Sequence, residues 1–149
     1  MEITGTVTGV RRMTTDHGSM FLRVTIAGTD GCELLPELDR HASDKVLVKK
    51  RYSAFFGTDL DETLAALRPV ILVLAGINTH ACVRMTAIDA YQRDYEVLVA
   101  SDCVASYDAE HHEVTMRYLD AGIARFVLSA DIAKMLAPSW RRRTNGGSE

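Results

Sequence analysis

Five consecutive apolar residues, Val70-Ile71-Leu72-Val73-Leu74, constrain the fold of this chain more than any other feature. A run this short, rich in β-branched residues and without polar alternation, fits a strand buried on both faces of a helix-covered sheet. A glycine turn at Gly76 follows. Beyond it a helical pattern sets Val83, Ala87, Ala90 and Tyr91 on one stripe and Arg84, Gln92 and Arg93 off it. Strand, turn and helix together put Cys82 in the first helical turn. There the helix dipole and the unpaired N–H groups favour thiolate, the nucleophilic form of sulfur. A cysteine in an apolar strand–helix unit can equally be a small buried hydrophobe, and spacing alone leaves both roles open.

The same alternation continues on either side. Val46-Leu47-Val48 reads as a second buried strand with Lys49-Lys50-Arg51 at its carboxyl end; three basic residues there, taken alone, are a solvated strand end. Asp59 caps a helix through Leu67, Glu62 suits its first turn, and Arg68-Pro69 closes it. Val97-Leu98-Val99-Ala100 is a strand ending at Ser101-Asp102-Cys103. Residues 109–121 form a helix with Val114, Tyr118 and Ala121 on its inner stripe and Gly122 as its stop. Phe126-Val127-Leu128 is the last strand, and residues 131–136 a final short helix. Strands alternating with helices give a parallel sheet covered on both faces, and ligands of such sheets sit outside the carboxyl ends of the strands. Lys49 and Cys82 each follow a strand, so they share that rim.

Less of the first part of the chain is legible. Residues 3–10 read as a strand or an irregular arm, and residues 21–26 as a short strand or an extended segment. Asp16-His17-Gly18-Ser19 is a solvated turn, because one Asp-His pair without a second histidine at ligand spacing is no metal site. Cys32, beside the turn at residues 28–31, packs. Asp102 is a turn and cap residue, His111 and His112 are exposed in a first helical turn, and His80 either caps its helix or contacts substrate. With 149 residues the expectation is one domain over 1–138, atypical over 1–27, and a polar, disordered tail over 139–149.

A formal net charge of −3 gives no electrostatic case for nucleic acid or an anionic membrane. No apolar run is long enough to span a bilayer, and no signal-peptide layout is present. Three widely spaced cysteines suggest neither a disulfide framework nor a zinc site, which points to a reducing cytoplasm.

Two short motifs carry a resemblance. Lys49 followed by Tyr52-Ser53-Ala54-Phe55, Gly57-Thr58 and Leu60 is the first; Gly76-Ile77, Thr79, Cys82-Val83 and Thr86-Ala87 is the second. Together they resemble the isochorismatase-like cysteine hydrolases over roughly residues 28–131. The resemblance implies a Rossmann-like three-layer α/β/α sandwich with a mostly parallel sheet, assembled as a homo-oligomer. It implies hydrolysis of a small amide, ureido compound, nicotinamide or vinyl ether by an aspartate, a lysine and a cysteine, with a small-molecule substrate as partner and no cofactor or metal. Lys49 and Cys82 match two of those three positions, Phe55 is assigned to substrate binding, and a cis Ile77–Asn78 peptide is implied. The chemistry is then attack by thiolate on a carbonyl carbon and hydrolysis of the resulting thioester, with the oxyanion held by the backbone N–H groups of Asn78 and Cys82. The family's aspartate ends an apolar first strand, and nothing in residues 1–44 matches it, so the general base is unassigned and the first strand is missing or replaced. Residues 3–10 or 21–26, or a partner chain, could fill its place. Two functions follow: a cysteine hydrolase, or an inactive relative kept as a binding or oligomerisation module.

Overall fold

The computed structural model describes residues 8–10, 22–26 and 44–135. Six strands occur among them. β1 (Thr8–Val10) pairs antiparallel with β2 (Leu22–Ile26), which pairs parallel with β3 (Lys45–Lys49). β4 (Ile71–Ile77), β5 (Glu96–Ala105) and β6 (Arg125–Val127) pair as a second, all-parallel three-stranded sheet in that order, and β1 of the first sheet lies close to β4. Strands therefore occupy part of both N-terminal stretches that sequence left open. The assignments made to Asp16, His17, Cys32 and the tail lie outside the described residues.

The helices follow as the alternation predicts: α1 (Leu60–Leu67), α2 (Arg84–Tyr91), α3 (Ala109–Asp120) and α4 (Ser129–Met135). Side chains of β4 and β5 point alternately to two cores, which is the period-2 geometry of a strand. Leu72, Leu74, Val97 and Val99 meet Leu60 and Leu64 of α1, Ala87 and Ala90 of α2 and Leu119 of α3. Val73, Leu98 and Ala100 meet Ile132 of α4 on the opposite face. Helix, sheet, helix: the three layers and the mostly parallel sheet are as expected. None of the helices among the described residues is long and apolar enough to cross a membrane.

Several expectations need correction. β4 starts after the exposed Val70 and does not stop at Leu74; it runs through Gly76 to Ile77. Gly76 has φ of 128°, which disfavours any side chain, and the ladder to β5 shifts register between Leu74 and Gly76. β5 lengthens to match, its Val104 and Ala105 facing Gly76 and Ile77, so Asp102 lies in a strand and not in a turn. Its carboxylate still caps, accepting the Ser129 N–H and hydroxyl at the start of α4, each at 2.7 Å. Those bonds hold the Asp102 carboxyl below its ordinary range.

β3 is half buried, with Leu47 and Lys49 inside and Val46 and Val48 exposed. Asp59 precedes α1 without capping it by its side chain; that carboxylate pairs with Lys45 instead. Arg68 does close α1, in the left-handed conformation, with its N–H on the Leu64 carbonyl. Tyr91 is exposed, though Val83, Ala87 and Ala90 are buried as expected. The inner face of α3 is shifted by one residue: Thr115 and Leu119 are buried, while Val114 and Tyr118 are exposed and Ala121 follows the helix, also exposed. Tyr118 instead lies under the Arg84 guanidinium, 4.5 Å from its ring centre, a contact suited to the wet edge of a helix pair. Gly122, with φ of 135°, follows the helix as its stop.

Candidate active site

β3 turns its even-numbered valines outward, so Lys49, at its last position, faces in. The side chain is fully buried, at 0% exposure. Burying an ammonium is costly unless each of its three donors finds an acceptor. Beyond the strand the chain doubles back, and Nζ donates to the carbonyls of Arg51 and Tyr52, each at 3.0 Å. Its third donor reaches Cys82 Sγ at 3.2 Å. Lys50 and Arg51 are exposed, so only the first of the three basic residues belongs to the site.

Cys82 arrives from the other side. The peptide bond Ile77–Asn78 is cis, as the resemblance implies. Thr79–Val83 then make a π-helical turn, with the N–H groups of Ala81 and Val83 both on the Asn78 carbonyl at 3.2 Å. Cys82 thus sits in the turn that feeds α2 rather than in the first turn of α2 itself. Such one-turn π segments are common at functional sites. Cys82 is 1% exposed, whereas Asn78, His80 and Ala81 around it are half-buried and Ile77 is exposed. The Ala54 N–H donates to Thr86 Oγ1 at 3.0 Å, tying the loop that follows Lys49 to the helix that follows Cys82.

The remaining predicted residues fall differently. Phe55 is buried at 5% exposure in the main core, with the Arg93 guanidinium 4.4 Å from its ring centre. His80 makes neither a helix cap nor a bond to Cys82: its Nδ1 bonds to Ser106 Oγ, and its ring meets Tyr107 edge-on at 5.1 Å and His111 at 5.6 Å. His111 is exposed as expected, but His112 is half-buried and bonds to Thr79 Oγ1 at 3.0 Å. Sequence reasoning missed both Thr79 and His112. Thr79 stood inside the cysteine motif, and a buried threonine there was the available signal. Among the described residues, no carboxylate hydrogen-bonds to Lys49 or Cys82, and no three metal-ligating side chains converge.

Asp108 caps α3 by accepting the His111 N–H at 2.9 Å, and its other oxygen meets His111 Nδ1 at 2.7 Å. The bond from the backbone N–H and then that from the ring hold the Asp108 carboxyl below its ordinary 3.8. The same carboxylate raises the His111 imidazole above its ordinary 6.5. A raised imidazole stabilises the fold below 6.5 and ceases to do so as pH rises through its folded value; a depressed carboxyl stabilises above 3.8 and ceases as pH falls through its folded value. Asp108→Asn keeps a cap but removes the charge. The Tm gap between wild type and this variant should be widest between those two values and narrow above them, and it should be small, since the pair is exposed. Thermal melts across that range check it; a gap that widens toward alkaline pH contradicts it.

Residues 8–131 match the family described as the isochorismatase domain. An uncharacterized isochorismatase family protein, YwoC of Bacillus subtilis, is 36% identical over 90 residues, covering 60% of this chain and 48% of that protein. The crystal structure of an isochorismatase-like hydrolase from Alkaliphilus metalliredigens is similar at a TM-score of 0.73 and 30% identity, covering 78% of this chain and 69% of that one. The structure of N-carbamoylsarcosine amidase from Thermoplasma acidophilum is similar at 0.61 and 38% identity, covering 68% and 58%. This chain spans about half the length of YwoC and of other curated relatives that it matches.

Proposed function

This chain belongs to the isochorismatase family, and from that premise we propose that it is a cysteine hydrolase of a small amide or ureido substrate. The observation that carries the reading is the contact of 3.2 Å between Lys49 Nζ and Cys82 Sγ, two side chains buried almost completely. No packing requirement brings an ammonium to a sulfur; a thiolate there supplies the charge that a buried lysine needs. The thiolate attacks the carbonyl carbon, and the oxygen takes up the negative charge beside the backbone N–H groups of Asn78 and Cys82. As the tetrahedral species collapses the C–N bond breaks. The departing nitrogen takes a proton, for which the Lys49 ammonium is the near donor, and a thioester stays on Cys82. Water then attacks the thioester and frees the acid and the thiolate, and the proton that the water loses returns to the Lys49 amine.

The amide class is supported by the likeness to N-carbamoylsarcosine amidase. Assembly as a homo-oligomer and residence in the cytoplasm belong to the same proposal. A second reading, an inactive binding module, is favoured by one observation, the 1% exposure of Cys82. A panel of small primary amides and N-carbamoyl compounds separates the two. Ammonia release should occur with at least one of them, be lost in Cys82→Ser, and be accompanied by an acyl adduct on the Cys82 peptide under acid quench. A Cys82 that takes neither acyl group nor iodoacetamide in the folded chain leaves the module reading standing.

A further inference from the structure

Thr79, three residues before the sulfur, is fully buried. Its hydroxyl oxygen lies 2.9 Å from the carbonyl of Ala105, at the end of β5, and 3.0 Å from Nδ1 of His112 in α3. A hydroxyl has one proton to give, and a carbonyl oxygen can only accept. The Thr79 proton therefore goes to Ala105, and the second bond runs the other way, from His112 Nδ1–H to Thr79. In the neutral ring this leaves the lone pair on Nε2.

We propose that Thr79 and His112 are positioning residues that hold the cysteine turn against β5 and α3 and so set the distance from Cys82 to Lys49. The turn needs an outside anchor, because its own N–H bonds from Ala81 and Val83 both converge on the Asn78 carbonyl. Thr86 supplies the opposite tether, to the loop behind Lys49. Thr79 thus fastens the turn to the sheet and α3, and Thr86 fastens the helix that follows the turn to the loop that follows Lys49. Packing alone does not call for a hydroxyl at position 79, since valine has nearly the same shape; the hydroxyl is needed for the two bonds. The assignment rests on the lysine–cysteine pair being the working centre, although the hydrogen-bonded clamp itself does not.

The test is alkylation of the full-length folded chain by iodoacetamide, read peptide by peptide as a rate against pH, with the exposed Cys103 as internal control. At about pH 6, below the ordinary thiol range, Thr79→Val and His112→Leu should each slow Cys82 on the order of tenfold relative to wild type. The double variant should be no slower than Thr79→Val alone, because that substitution already removes the bond from His112 as well as the one to Ala105. Thr79→Ser should restore the wild-type profile, and the Cys103 rate should stay constant throughout. Additive effects, or wild-type profiles in both single variants, would overturn the proposal. A second measurement needs no variant. Nitrogen-15 shifts of the His112 ring should place the hydrogen of the neutral form on Nδ1, and the opposite tautomer would overturn the clamp whatever the activity. If wild-type Cys82 reacts only as an ordinary thiol, the enzyme reading fails by itself, and the ring shifts still decide the clamp.

Discussion

Lys49→Met is expected to lower the proposed amide hydrolysis at least about a thousandfold while leaving a folded chain, and Lys49→Ala to remove it and destabilise the fold as well. The two substitutions separate two jobs of one side chain. Its stem fills space in an interior where it has no exposure, and its ammonium satisfies the Arg51 and Tyr52 carbonyls and faces Cys82 Sγ. Methionine keeps most of the stem; alanine empties it, adding a cavity term. Either variant leaves two carbonyls short of a donor, at about 1–3 kcal/mol for each group that water cannot reach. Both also strip Cys82 Sγ of its only hydrogen-bonded cation among the described residues. Chemical denaturation and ammonia release read the two effects separately. A Lys49→Met variant with wild-type turnover would show that the sulfur works without the lysine, and the proposed mechanism would have to be abandoned.

What the sequence showed of this arrangement, and what it hid, has a physical pattern. The strand–turn–helix order around Cys82 follows from the apolar run before it, because a strand buried on both faces leaves no polar residue within it; the strand that brings Lys49 to the same rim is buried on one face only. Element ends were less legible. β4 runs on through Gly76 and β5 through Ser101 and Asp102, residues that usually mark turns, because Gly76 and Ile77 find ladder partners again in Val104 and Ala105. The inner face of α3 was misjudged for a related reason. Reading inward from hydrophobicity favours Val114 and Tyr118, yet Thr115 and Leu119 are the buried residues, and a tyrosine can rest on a neighbouring arginine with one side wet. The missed clamp is of the same kind. Thr79 and His112 are 33 residues apart, and nothing local in either joins them.

Leu74→Ala is expected to destabilise the fold by about 2–5 kcal/mol, which for a chain of this size lowers Tm on the order of 10 °C. Leu74 is 2% exposed and lies in the core that α1, α2 and α3 share, beside the β4 segment that leads into the cysteine turn. Its neighbours there are held by a parallel ladder on one side and by helices on the other, so collapse cannot close the space its methyl groups would leave. Val46→Ala supplies the contrast, removing apolar atoms from the exposed face of β3, and should fall within about 0.5 kcal/mol of wild type. Because Leu74 and Val83 belong to one cluster and Val83 follows Cys82 directly, the loss should also be felt at the site. Below its lowered Tm the Leu74→Ala chain should alkylate Cys82 more slowly than wild type at about pH 6, as the ammonium and sulfur part. A Leu74→Ala melt indistinguishable from that of Val46→Ala would mean that the core between β4 and the helices is not the one that holds this fold together.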